Sequence, residues 1–332
     1  MQSFAVYRSP EKDLVAELDH FAEQRAAYTS VFQLPGWADV LYDTADCFFV
    51  AGRKNGELNF FALVNRNGRK YFNIQFGPVC ADEQVWHEAL AYMRRLFRYK
   101  ALCLSVQPDI STAMPSYGKA NTGPLLYDWC TPVLDIDKTD EVLLRGFSEN
   151  HRRAIKKAQK HGLSAAPVEN AAETGALAEI YLKMYTGRGL AVAAHRPHAI
   201  WTGMHERFVA TGNKYGIIFS VKKEDRVIGG IVITICGSRA FYYMGCSDPG
   251  ERKVPILHLA FWEAIKYCRS FGISIFDFGG CNPYVKPGSQ VFYINHFKNQ
   301  FGTGIVYYPR RLYFSLIPSG TCLFHFMRKL KS

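Results

Sequence analysis

Apolar positions in this chain fall into two series that repeat the same order. In the first, alternating runs at 47–52 and 58–65 read as strands, and the Asn55-Gly56 between them is a strong hairpin signal. A second turn at Asn67-Gly68 opens a run at 71–76, which Gly77-Pro78 ends. Ala89, Tyr92, Met93, Leu96 and Phe97 then recur at helical spacing within 83–99, and another strand follows at 101–106. In the second series, strands at 214–222 and 226–236 flank a Lys-Glu-Asp turn, and Gly237-Ser238 leads to a strand at 240–245. A helix at 255–270, with Leu259, Trp262, Ile265, Lys266 and Cys268 marking its buried face, precedes a strand at 273–278. Each half reads strand, strand, strand, loop, helix, strand. A repeat of this size points to a duplicated domain and not to a solenoid.

The remaining segments frame these halves. A short strand at 4–6 precedes a helix started by Ser9-Pro10, with Leu14, Val15, Leu18 and Phe21 on one side. Between the halves lie a strand at 131–136 and a helical stretch at 143–162, with Ser148 as cap and Gly162 as stop. Two further helical patterns cover 173–187 and 197–211. The segment 310–331 is rich in aromatics and bracketed by cations, and Pro318-Ser319-Gly320 breaks it. That break excludes a transmembrane helix. Two placements stay open, along a membrane surface or packed on the domain. The expected division is 1–145, 146–302 and a C-terminal segment at 303–332, with the first domain free to reclaim that last segment.

Composition narrows the partners. A chain of 332 residues, 48% hydrophobic and 14% aromatic, can bury a sizeable core. Its formal net charge of +11 favours an anionic partner. The nine cysteines are scattered, with no C-x-x-C and no Cys/His ligand spacing, so neither a disulfide scaffold nor a metal site is expected. No run approaches the roughly 18–20 apolar residues that span a bilayer. The expected location is the cytoplasm, with peripheral contact at the inner membrane face through 310–331.

Antiparallel strands followed by a β–helix–β crossover make a mixed α/β unit of the acyltransferase (GNAT) type. Four stretches then carry a more specific likeness. They are Phe32-Gln33 with Trp37, the basic run from Asn150 to Ala158 with Gly162, the Ala240–Ser247 strand with Phe276-Asp277-Phe278-Gly279-Gly280, and Phe297-Lys298 with Phe301-Gly302. In this order over nearly the whole chain, they resemble the FemABX family. Those proteins are aminoacyl-tRNA-dependent transferases that build peptidoglycan interpeptide bridges on two tandem GNAT-like domains. The resemblance implies that fold and an aminoacyl-tRNA donor. It implies a cell-envelope precursor amine as acceptor and no resident cofactor. Two features depart from the family. Ala38-Asp39-Val40 stand where members using UDP-linked precursors carry a basic residue after the tryptophan, and no heptad run matches the staphylococcal coiled-coil insertion.

Acyl transfer needs a positioned amine, a donor to the developing oxyanion and a proton for the leaving oxygen. Lys298 suits the last two needs, and the resemblance places it at the aminoacyl ester. Asp277, at a strand end facing two glycines, suits an acceptor-orienting role. The resemblance adds Trp37, Phe297, Arg188 and one of Tyr242 or Tyr243 as substrate contacts. Arg152, Arg153, Lys156, Lys157 and Lys160 form a cluster suited to a polyphosphate such as tRNA. His151, His195 and His296 show no partner pattern and are read as non-catalytic.

Two other functions compete with this one. An acyl-CoA-dependent N-acyltransferase acting on a sugar would need a loop rich in backbone N–H groups at a helix start. The loop from Ser247 to Pro255 holds one glycine and two prolines, which tells against it. A non-catalytic membrane-associated binding module would use the basic helix and the C-terminal segment.

Overall fold

The computed structural model describes residues 1–25, 31–38, 42, 46–80, 82–109, 130–187, 195–282 and 284–329. The chain forms two compact units, 1–129 with 307–332 and 130–306. The division lies at 129/130 and not near 145. The reason is strand pairing: the segment at 130–135 belongs to the second sheet.

The first unit opens with β1 (Gln2–Tyr7) and α1 (Lys12–Arg25). Strands β2 (Cys47–Lys54), β3 (Glu57–Asn67) and β4 (Tyr71–Gln75) follow, with the short β5 (Val79–Cys80). Asn55 and Gly56 take φ of 54° and 90°, the left-handed pair that a tight hairpin requires. Helix α2 (Glu83–Leu96) is capped by the Asp82 carboxylate on the Val85 N–H, and β6 (Cys103–Gln107) runs parallel to β4. Trp86, Ala89 and Met93 of α2 lie against Phe60, Phe72 and Val106 of the sheet. A late strand, β14 (Leu312–Ser315), pairs with β6, giving the order β1-β2-β3-β4-β6-β14. The first unit thus holds the end of the chain, including the terminal helix.

The second unit contains β7 (Cys130–Asp135), α3 (Asp140–Gly146), α4 (Glu149–Lys160), β8 (Leu163–Pro167), α5 (Ala171–Thr186) and α6 (His195–Ala210). It continues through β9 (Gly216–Lys223), β10 (Arg226–Cys236), β11 (Arg239–Ser247), α7 (Ile256–Ser270), β12 (Ile275–Asp277), α8 (Gln290–Asn299) and β13 (Gly304–Tyr307). The sheet order is β13-β7-β12-β11-β10-β9-β8, with β11 and β12 parallel. Helices α5 and α7 cover opposite faces of it. A Cβ on Gly230 would strike Leu177 of α5, while one on the adjacent Gly229 would strike Ile256 of α7. Leu259, Phe261 and Ile265 of α7 pack with Ile231, Ile233 and Phe276 as the unit's core. Both units therefore share the expected repeat: three antiparallel strands, a helix, and a strand parallel to the third.

Candidate active site

The site of the second unit starts where two parallel strands part. β11 and β12 pair over only three residues, Arg239 with Ile275, Ala240 with Phe276, and Phe241 with Asp277. Beyond that point β11 stays with β10, but its register shifts: Ile233 faces Tyr242 and Val232 faces Met244, leaving Tyr243 as the extra residue of a bulge. On the other strand, Gly279 turns the chain away at φ +73°, and a Cβ there would lie 2.8 Å from the Tyr242 carbonyl oxygen. Only glycine fits that conformation at that distance. The result is a gap in the sheet between Tyr242 and Gly279-Gly280.

Lys298 of α8 fills this gap. Its Nζ donates to the Gly279 carbonyl at 3.0 Å and the Gly280 carbonyl at 2.9 Å, and stands 5.7 Å from the Tyr242 ring centroid. An ammonium has three donors, and these two carbonyls engage two of them. Burial lowers the Lys298 pKa to about 8, against the opposing pull of Asp277, Cys281 and Cys130. At pH 7 the protonated form still exceeds the neutral one by roughly ten to one.

The structure assigns Asp277 a different place from the expected one. Its carboxylate is fully buried. One oxygen accepts from the Thr131 hydroxyl and from the Gly279 N–H at 2.7 Å; the other takes both Nε and Nη2 of the buried Arg239. Those four bonds occupy the group, so it shapes the Gly279 turn and does not meet an acceptor. Next to it, Cys130 and Cys281 form an isolated antiparallel bridge with their sulfurs 2.7 Å apart. Burial pushes the Cys130 thiol up to about 12 and raises Cys281 as well, so both are thiols at neutral pH.

The neighbouring residue on α8, Phe297, borders a cavity of about 630 Å³. Lys157 of α4, Arg252, Lys253 and His258 also line it. The first turn of α7 opens into it from Pro255, which gives the helix no side-chain cap. Phe297 packs against His151 and His258, whose rings lie 4.5 Å apart. The Nε2 of His151 bonds the Phe297 carbonyl at 3.0 Å. Desolvation brings both histidines down to about 4, so they are neutral walls at neutral pH.

The other expected residues divide in the same way. Tyr242, not Tyr243, adjoins Lys298, and it packs edge-on against Phe261. Of the basic cluster, Lys157 reaches the cavity and donates to the Lys253 carbonyl at 3.1 Å. Arg152 instead donates to the carbonyls of Leu144, Arg145 and Phe147 at the end of α3, and Arg153 pairs with Glu149 one turn away. Lys156 and Lys160 are exposed. Trp37 is fully buried in the first unit beside Gln33, whose amide clamps Leu63 and Gln75, so the pair supports the core and presents no ligand surface. Arg188 lies outside the described residues. Sequence reasoning missed Arg239, Thr131, Cys130 and Cys281. A lone arginine opening an apolar strand was the one available hint, because a buried cation needs a buried anion.

With this geometry in hand, residues 145–292 match the model of an acetyltransferase (GNAT) domain. The matched stretch lies within the second unit and covers less than half of the chain. The expectation of an acyltransferase is borne out. The whole chain also shares its fold with solved structures. FemX matches with a TM-score of 0.75 at 18% identity, covering 94% of this chain and 98% of that one. A tandem GNAT protein from the clavulanic acid biosynthesis pathway matches with a TM-score of 0.59 at 12% identity, covering 96% and 100%. L-PGS from Bacillus licheniformis matches with a TM-score of 0.57 at 12% identity, covering 97% of each chain. These likenesses bear out the expected fold of two tandem GNAT-like domains. No curated protein sequence matches the chain. Among the described residues no cluster of His, Cys, Asp or Glu could hold a metal, and no helix is long and apolar enough to cross a membrane.

Proposed function

We propose that the protein transfers an aminoacyl group from aminoacyl-tRNA to the amine of a cell-envelope precursor. The observation that carries this reading is the Lys298 ammonium, set in the gap between β11 and β12 with one donor left over. An acceptor amine attacks the ester carbonyl, forming a C–N bond and an oxyanion. Lys298 stabilises that charge and then gives its proton to the ribose oxygen as the ester C–O bond breaks; the attacking nitrogen returns a proton to it. The cavity beside Phe297 is lined by Lys157, Arg252 and Lys253 together with Asp248 and Glu251, which pair with Arg226, and its cations suit the phosphates of the donor. The resemblance to the FemABX family supports both the donor and the acceptor class.

A second reading rests on one specific observation. The start of α7 has no side-chain cap and lines the same cavity; Ile256 N–H is bonded to the Val254 carbonyl, and the helix start that follows suits the pyrophosphate of an acyl-CoA. The two readings separate in a mass-shift assay on envelope precursors, with charged tRNA in one arm and acetyl-CoA in the other. A gain of one amino-acid residue with charged tRNA alone supports aminoacyl transfer. An acyl gain with acetyl-CoA alone overturns it. No gain in either arm, with vesicle or precursor binding intact, favours a non-catalytic binding module.

A further inference from the structure

We propose that the terminal helix of the first unit is a docking surface for an anionic lipid bilayer. Helix α9 (Gly320–Lys329) is anchored to the first unit through Gly320, Thr321, Phe324 and His325. Phe324 inserts between Tyr71 and Tyr313, with ring centroids at 5.3 and 5.5 Å. Thr321 is buried, with its N–H bonded to the Ser315 hydroxyl at 3.2 Å. Gly320 packs so close to the Leu102 carbonyl that a Cβ would lie 2.0 Å from it. The helix is thus fixed in rotation, and its other side is turned outward.

That outward side is apolar. Leu323, Phe326 and Met327 stand at i, i+3 and i+4, and they are 44%, 59% and 37% exposed. This spacing makes one continuous stripe. An isolated surface leucine needs no explanation, but three large apolar side chains in one row do.

Charge identifies the occupant. From Phe278 to Ser332 there is no aspartate or glutamate. Of the cations in that span Lys298 is buried in the site and Arg311 is held by Asn73, Gln75, Ser105 and Gln107, whereas Arg310, Arg328, Lys329 and Lys331 all fall in the last 23 residues, the piece of chain that includes the helix. An apolar stripe within a segment of one positive sign is the pattern of a helix lying in a bilayer interface, where acyl chains take the stripe and anionic headgroups take the cations. A second copy of this chain would bring the same positive charge to the contact, which opposes self-association through this face. The inference does not depend on which group the enzyme transfers.

Cys322 supplies the probe, because it is exposed beside the stripe while the other cysteines are buried or half-buried. The full-length protein, labelled there with a polarity-sensitive fluorophore, would be mixed with vesicles of phosphatidylglycerol and phosphatidylethanolamine, or of phosphatidylcholine alone. A blue shift and flotation of unlabelled protein with the anionic vesicles only, weakened by salt, is the expected result. Leu323→Gln with Phe326→Gln should lower that partitioning at least tenfold while leaving the thermal midpoint unchanged. Equal binding to both vesicles, an unaffected double variant, or a lipid-independent dimer abolished by the same substitutions would each overturn the proposal.

Discussion

Lys298 and Gly279 are 19 positions apart on different elements, yet the lysine ammonium donates to the glycine carbonyl at 3.0 Å. The contact requires both residues to be unusual: a lysine buried to 7% exposure and a glycine at φ +73°. Each constraint serves the other, since the glycine turn aims the carbonyl that holds the amine.

Removing the amine should abolish chemistry without unfolding the protein. Lys298→Met is expected to lower turnover in the mass-shift assay by about 10²–10⁴-fold, the span associated with a lost general acid. Circular dichroism should show the fold retained. A variant that keeps its rate would remove Lys298 from the mechanism.

The same residue sets a pH dependence. Since the acting form is the ammonium, turnover should fall as pH rises through about 8. Stability should move the other way. The folded pKa lies below the ordinary 10.5, so the unfolded chain binds more protons between about 8 and 10.5, and this contribution rises with pH across that window. Denaturation midpoints of wild type and Lys298→Met, compared from pH 7 to 10, isolate it; a constant difference between them would contradict the buried, depressed lysine.

Arg239 and Asp277 form a buried pair beneath the gap. Arg239→Met leaves the carboxylate without its cation and should cost about 3–5 kcal/mol of stability, read by chemical denaturation. Loss of less than 1 kcal/mol would mean that Asp277 has another counter-charge.

Gly279→Ala tests the turn itself. A Cβ there meets the Tyr242 carbonyl at 2.8 Å, and the left-handed φ adds strain, so a stability loss of about 1–3 kcal/mol is expected. Turnover should fall with it, because the carbonyls that seat Lys298 shift. Unchanged turnover in a folded variant would separate the turn from the chemistry.

The sequence revealed local features and hid distant ones. Asn55-Gly56 announces its hairpin because the turn chemistry is contained in two residues. The helical spacing of Leu259, Trp262 and Ile265 announces the buried face of α7 in the same way. Cys130 and Cys281 meet across 151 positions, and no local pattern could pair them. Asp277 reads as an exposed strand-end acid until the fold brings Arg239 and Thr131 to it. The cations from Arg152 to Lys160 look alike in sequence. Only packing shows that Arg152 caps α3 and that Lys157 borders the cavity. Tyr242 and Tyr243 could not be told apart for a similar reason, since strict alternation cannot foresee a bulge.

The strand β14 has a consequence for how the protein is made. β6 pairs with β4 on one side and with β14 on the other, and β14 begins at Leu312. At about 5–20 residues per second, some 200 residues separate their synthesis by roughly 10–40 seconds. Through that interval the outer edge of β6 waits for β14, while the second unit, closed within 130–306, is synthesised in full. The unit that is started first is thus the one finished last, and a chain cut between Val306 and Leu312 keeps every residue of the second unit while leaving β6 without β14.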